Sequence, residues 1–494
     1  MRKERKYLIM MRSLFSGVSG LKSHQTRMDV IGNNIANVNT TGFKSSRTTF
    51  ADTLSQTLTG ASAPQDNLGG TNPKQIGLGT GVASIDLLFT DGSVQSTGKN
   101  TDLCLSGNGL FVVKQGNQTY YTRDGAFEFD SEGNYVLPSS GLYVQGWTAT
   151  DGVLNTSSAV GNIAIPAGKS MAAKATTTAK YANNLNASVP TITKIVAGTT
   201  TYDETNKGTA KIDGNTVKSA TITLSDGTTV TETSGSYTIG YSLPVTTTVT
   251  AYDSLGTAHS IPVYFTLTGK DTTGKTGNTW TISVNSDMSD KNSHYDSTKK
   301  AFVDGIVEAD GSTTTATMAT QELKFDTDGK MKSGSGTITM TLTNGSGTDQ
   351  KVTLDLSTIT QYAGKSTINA SADGNAAGTL SSVSVDSSGI ITGTYTNGIK
   401  QTEAQVAVAQ FTNASGLTKT GNSLYQESNN SGTANVKTAS DLGVTITPSA
   451  LEMSNVDIAN EFSDMIITQR GFQSNSKIIT VGDEMLETLI NMKR

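Results

Sequence analysis

The chain has 494 residues, a length that suits three to four domains of about 150 residues each, yet only 35% are hydrophobic and 6% aromatic, with 51 glycines against 8 prolines. With a mean hydropathy of −0.27, this is the profile of β-rich modules with many turns, not of a dense α/β enzyme. The net charge of −5 gives a nucleic-acid-binding surface no electrostatic support, no apolar run reaches the roughly 18 residues of a membrane helix, and the one cysteine, Cys104, excludes an intrachain disulfide.

Met1–Met11 reads MRKERKYLIMM. Its basic start imitates the charged region of a signal peptide, but the apolar stretch Tyr7–Met11 is shorter than the roughly 7–15 residues of a cleavable signal. Residues 1–10 are therefore expected to be a start-site extension, with Met11 as the first residue proper. In residues 11–44, Leu14, Leu21, Met28 and Ile35 recur with a heptad period, and Val18, Ile31 and Val38 fall between them. This predicts a helix over Ser13–Asn37. The run Asn33–Lys44 is crowded with amides. Asn and Gly accept the left-handed backbone, so the run predicts a helix stop and a sharp exit. A run this specific also points to amide groups making defined contacts across a packed assembly. Residues 45–80 carry few apolar anchors and predict an extended linker with little regular structure.

Strand signals begin at Gly81–Phe89 and continue at Gly109–Lys114, Gln118–Arg123, Ala126–Asp130 and Asn134–Leu137. Asp91-Gly92, Asp124-Gly125 and Glu132-Gly133 mark turns, where positive φ favours glycine. Residues 81–174 are the first part of an inner β domain. Residues 175–370 repeat the theme with more threonine, from Ala210–Ile212 through Ser219–Leu224, Thr228–Thr233, Val245–Tyr252, Ser260–Leu267 and Thr279–Asn285 to Glu322–Phe325, Gly336–Leu342 and Gln350–Leu354. Asp213-Gly214, Asp226-Gly227 and Asp328-Gly329 sit at turns. The segment reads as one or two inserted all-β domains, its Thr-rich alternation suited to antiparallel sheets. The inner domain resumes at 371–450, through Thr379–Val385, Gly389–Tyr395 and Val406–Phe411 and then a loop-rich stretch to Pro448. Residues 451–494 hold a second helix, Val456–Met492, capped by Ser454 or Asn455. Ile458, Met465, Phe472, Ile479 and Leu486 repeat with the heptad period, and Phe462, Ile466 and Leu489 widen the stripe.

The expected fold is mainly β with α-helical ends, a nested multidomain chain with a split inner β domain around inserted outer β domains. A helix with one narrow apolar stripe is not stable alone in water. Two arrangements satisfy the pattern. The helices can pair with each other, since closing a loop of roughly 400 residues costs only a few kcal/mol more than closing a short one. Or they can form an intersubunit coiled coil that completes its core only against other subunits.

Enzyme signals are weak. Asp326-Thr-Asp328-Gly329 reads as a β-turn, not a calcium loop, and Gly107-Asn108-Gly109 has no helix after it to bind phosphate. His24, His259 and His294 lie too far apart for zinc-type spacing. Cys104, between Leu103 and Leu105, reads as a small buried apolar group, and Trp147 and Trp280 as core residues. No enzyme activity, cofactor or metal is expected.

Three groups of motifs carry a family resemblance. Leu14–Leu21 (LFSGVSGL) followed by Asn33–Lys44 resembles the amino-terminal signature of bacterial flagellar axial proteins. Ser454–Asp457 and Ile467–Asn475 (ITQRGFQSN) resemble its carboxyl-terminal counterpart. Leu105–Val113 and Tyr121–Phe127 resemble the β domain shared by rod and hook subunits. Within this rod and hook family, Thr247–Thr257 and Gly389–Gly398 resemble the outer region of hook members, which with the length favours hook over distal rod. Asn108 stands where an acidic residue is usual, and Cys104 where an aliphatic one is.

The resemblance implies a structural subunit of the flagellar hook, a self-assembling flexible tube that acts as a universal joint and transmits motor torque to the filament. The alternative is a distal rod subunit of the basal body. It implies that Asn33, Asn34, Asn37, Asn39, Gly42, Phe43, Gln469, Arg470 and Gly471 make family contacts. It implies as partners the chain itself, the distal rod, hook cap and hook–filament junction proteins, and the flagellar type III export apparatus, with neither nucleic acid nor membrane insertion. The chain would reach the outside of the cell without a cleaved signal peptide. Phe50 and Leu54 resemble the short hydrophobic export-gate motif of such substrates.

Overall fold

The structure, a computed structural model, describes residues 2–64, 69–212, 216–271, 277–284, 293–296, 301–304, 306–307, 313–342, 346 and 349–492. The Asp213-Gly214 turn, Asn285 and the side chains of residues 2–11, His294 and Leu489 lie outside this description. The chain divides into two compact units: 1–169 with 380–395 and 400–494, and 170–379 with 396–399. The second is thus inserted in the sequence of the first, as the nested pattern predicts.

The first unit begins with helix α1, Arg2–Ala36, and ends with helix α2, Ile458–Asn491. α1 starts before the predicted Ser13, so the basic segment continues the helix. α2 is capped by Asp457, whose carboxylate accepts from the amides of Ala459 and Asn460. Ser454 and Asn455 are not the cap. The Asn455 side chain is engaged instead with Ser45, Leu88 and Thr90.

The described residues of 45–80 do not form the extended linker with little regular structure expected from their composition, whereas the strand expected at Gly81–Phe89 is present as Thr80–Leu87. Ser46–Asp52 pairs antiparallel with Thr80–Leu87, and Ser55–Thr59 with Lys74–Gly77. The result is a long two-stranded ribbon. Most of both faces is exposed, so no apolar alternation marks it in the sequence.

The inner β domain is built from both parts of the split segment. An antiparallel sheet runs in the order Ile390–Tyr395, Lys400–Val406, Leu142–Thr148, Leu110–Gln115, Gln118–Thr122, Leu424–Gln426 and Thr418–Gly421. Three early strands form its centre and late strands flank them on both sides, so neither part has a complete core alone. Leu103, Phe111, Phe127, Tyr135, Val144 and Val406 fill one face. Leu110, Val112, Tyr121, Trp147 and Tyr425 fill the other. Burial on both faces explains why Leu110–Val113 is a continuous apolar run. The stretch expected to be loop-rich up to Pro448 also contains Asn435–Lys437 and Thr445–Pro448, the latter paired with Leu103–Ser106. Cys104 is buried on that strand, and burial raises its thiol pKa to about 11. Gly133 takes positive φ as its turn requires. Gly92 and Gly125 do not; they are small because the carbonyls of Met453 and Leu103 lie where a Cβ would sit.

The inserted unit has two hydrophobic cores. Tyr181, Phe265, Trp280, Phe325 and Leu354 anchor the larger, formed by a six-stranded and a five-stranded sheet. Ile195, Ile212, Ile222 and Tyr237 anchor the smaller, beside a four-stranded sheet. The strand expected at Gln350–Leu354 runs on to Tyr362 and pairs parallel with Thr178–Asn186, departing from the antiparallel expectation. Parallel partners need a long crossover, which the intervening insertion supplies. Trp280 is fully buried. Trp280→Ala is expected to destabilise this unit by about 3–5 kcal/mol, read as a shift in its urea transition while the helical signal at 222 nm keeps its own midpoint.

Candidate assembly surface

The two terminal helices pair with each other inside the chain and run antiparallel. Leu14 lies over Gly482, Gly20 against Asn475 and His24 against Gly471, and Arg27 bridges to Asp464 at 3.0 Å. Of the predicted stripe, Ile31 is buried, while Leu14, Leu21, Met28, Ile35, Val38, Met465, Phe472, Ile479 and Leu486 are half-buried. Val18, Ile458, Phe462 and Ile466 stay exposed. The heptad seam therefore faces the partner helix without being sealed by it. A second stripe faces outward: Phe15, Phe462, Ile466, Ile467, Ile478, Val481 and Met485 are each 40–62% exposed. Apolar exposure on this scale along one helix pair marks a surface for further packing.

Phe50 lies on the ribbon against α1, its ring edge-on to His24 at 5.9 Å and 6.0 Å from the Arg27 guanidinium carbon. Leu54 is 69% exposed. Both residues of the expected export motif are exposed, Phe50 at 37% with one side of its ring against α1.

The junction between helices and β domain is a buried charge cluster. Lys44, Arg123 and Glu452 are each about 1% exposed. Glu452 accepts from the Lys44 ammonium at 2.6 Å, the Gly92 amide at 2.9 Å and the Arg123 guanidinium at 3.1 Å. Arg123 also reaches Asp91 at 3.4 Å and donates to the carbonyls of Leu105 and Gly107. Lys44 donates to the Thr90 carbonyl at 2.7 Å. Burial, with the Arg123 charge beside it, pulls the Lys44 ammonium below its ordinary range, against the opposing pull of Glu452. Two cations and two carboxylates balance here, and their hydrogen bonds compensate the cost of desolvation.

The amide run supplies the rest of the joint. Asn34 accepts from the Ser46 amide, donates to the Ser46 carbonyl and reaches Glu461 of α2 at 2.9 Å. Asn37 folds back onto Asn33. Gly42, at φ +63°, donates to the Glu452 carbonyl at 2.8 Å, and a Cβ there would fall 2.4 Å from the Asp124 amide. Phe43 is buried beneath Lys419, whose ammonium stands 3.8 Å from the ring. Asn34, Asn37 and Gly42 make these contacts within the chain. Asn33, Asn39, Gln469 and Arg470 remain exposed, Arg470 reaching only Gln473, and Gly471 is half-buried under His24. Sequence reasoning passed over Lys44, Arg123, Glu452 and Asn455 as a set. The available signal was Glu452 itself, a lone carboxylate closing the short strand Ala450–Glu452.

Four family descriptions cover the chain in the order of these parts. Residues 14–44 match the flagella basal body rod protein family, 104–181 the flagellar hook protein FlgE/F/G D1 domain, 225–375 the flagellar basal body protein FlaE D2 domain, and 447–492 the flagellar basal body rod FlgEFG protein C-terminal family. The chain is 38% identical to the flagellar hook protein FlgE of Treponema pallidum, over 98% of its own length and all of that protein. The chain belongs to the flagellar hook protein family. It is 32% identical to the hook protein FlgE of Salmonella typhimurium, across 97% of this chain and all of that one. The flagellar basal-body rod protein FlgG of Bacillus subtilis matches at 28% over 98% of this chain, so the rod relation is real but more distant. Hook family members are structural subunits of the hook. No described helix is long and apolar enough to cross a membrane.

Two outcomes follow from the joint. Glu452→Ala leaves Lys44 and Arg123 buried without their shared carboxylate and is expected to cost about 3–5 kcal/mol, measured by urea unfolding of the monomer. His24 has its pKa lowered by burial and then by Arg27. A histidine held below its unfolded value binds its proton more readily when unfolded, so acidification destabilises the helix pair. The urea midpoint at 222 nm should fall as pH drops through the ordinary histidine range near 6.5, and this component should vanish in His24→Asn.

Proposed function

We propose that this chain polymerises into the hook tube, with α1 and α2 lining its inside as a coiled-coil layer completed between subunits. The observation that carries the reading is the outward apolar stripe of the helix pair, which the chain itself leaves exposed. Contacts from neighbouring copies would bury Phe462, Ile466 and Val481 and convert a marginal helix pair into a packed layer. The β domains would form the outer tube. Their small polar surfaces would slide past one another as the tube bends, because no large apolar patch locks one register. The tube would act as a flexible joint that carries motor torque to the filament, a structural role and not a catalytic one.

On this reading the chain leaves through the flagellar type III export apparatus without a cleaved signal and assembles outside the cell. It would join the distal rod protein at one end and work with the hook cap and hook–filament junction proteins at the other. Exposed Leu54 and helix-packed Phe50 remain the candidate export-gate motif.

The test is electron microscopy of the purified chain after driving polymerisation with a precipitating salt. Wild type is expected to give hollow, curved tubes. Ile466→Asp and Val481→Asp should abolish them while changing monomer stability by no more than about 0.5 kcal/mol, since both sites are exposed. Straight rigid tubes would move the assignment to the rod. Tubes from the aspartate variants would remove the helix stripe as the assembly surface.

A further inference from the structure

The exit of α1 borders a cavity of about 500 Å³. Asn33, Asn37, Thr40, Phe43, Asp124 and Lys419 are among its lining residues. The Lys419 ammonium is buried and meets no hydrogen-bond acceptor among the described residues; only the face of Phe43 attends it, at 3.8 Å. Asp124 lines the same cavity but does not pair with it, its carboxyl being turned to the amide of Ala126. Burial alone accounts for the lowered pKa of Lys419, with no charge partner opposing it. An unpaired ammonium out of water is costly, and a ring face offsets that cost only in part. Among the described residues of the first unit, the buried cations Lys44 and Arg123 by contrast have carboxylates around them.

We propose that this cavity is a socket for an acidic side chain from a second copy of the chain. A carboxylate entering it would meet the amide donor of Asn33 and a lysine whose flexible stem swings the ammonium off Phe43 into a charge-assisted bond. A second copy fits as the source for two reasons. The chain is acidic overall, with net charge −5. Its exposed carboxylates Asp483, Glu484 and Glu487 sit near the opposite end of the helix pair from Asn33, and a head-to-tail repeat brings opposite ends together. The inference rests on the polymer reading above and gives Asn33 a role between subunits.

The test compares wild type with Lys419→Met, which keeps the stem and removes the charge. The variant monomer is expected to melt at the wild-type temperature or above it, because an unpaired buried charge is gone. Its critical concentration for salt-driven polymerisation, read by sedimentation, should rise about tenfold. Carbodiimide treatment of wild-type tubes should link Lys419 to an aspartate or glutamate of another copy, identified by mass spectrometry of mixed isotope-labelled subunits. Equal critical concentrations, or tubes in which other lysines are linked and Lys419 is not, overturn the socket and leave the polymer reading standing. No tubes from either protein overturn both. Inorganic phosphate that raises the melting temperature of wild-type monomer and not of Lys419→Met would make the site a free-anion site and overturn the second-copy source.

Discussion

The Glu452 carboxylate holds the first unit together. It receives Lys44 from the segment after α1, Arg123 from the β domain and the Gly92 amide beyond the ribbon, and α2 begins six residues later. Every segment that must meet where helices join sheet is bound to one buried group. Such a cluster adds little net stability over an apolar one, but breaking it leaves charges stranded. Its effect is to fix the register in which helices, ribbon and β domain enter, since Lys44, Arg123 and the Gly92 amide must all reach the one carboxylate.

That fixed joint accounts for the contrast with the helices themselves. Where they leave the cluster they are tied by Asn34 to Ser46 and Glu461. Farther out they rest on small contacts at Gly20, Gly471 and Gly482 and on the Arg27–Asp464 ion pair. Their outer faces carry aromatic and branched residues into solvent. A rigid base with an unfinished helical arm suits a subunit whose last folding step is assembly. It also suits passage through a narrow channel, because the arm carries little stability of its own.

Much of this was legible in the sequence. The heptad spacing located both helices, and the alternation of strands with turn glycines located most of the inner and inserted sheets. Motif resemblance supplied the family. Of the ribbon, Thr80–Leu87 was legible, but Ser46–Asp52, Ser55–Thr59 and Lys74–Gly77 were not, because a strand exposed on both faces shows no apolar alternation. The parallel pairing of Gln350–Tyr362 with Thr178–Asn186 was hidden for another reason: pairing partners distant in sequence leave no local mark. The charge cluster was missed because its members lie in four separate segments, each with an ordinary local explanation. Asn34 was singled out for contacts across an assembly, and the contacts it makes here are within the chain; a side chain that mimics a backbone partner looks the same in sequence wherever that partner lies.

The central claim is that the joint is complete in the monomer and the helix pair is not. Hydrogen–deuterium exchange of the monomer and of the salt-driven polymer tests it directly. The account predicts that amides around Lys44, Arg123 and Glu452 are equally protected in both states, while those of α1 and α2 exchange readily in the monomer and become protected by orders of magnitude in the polymer. Helices as well protected in the monomer as in the polymer would contradict it.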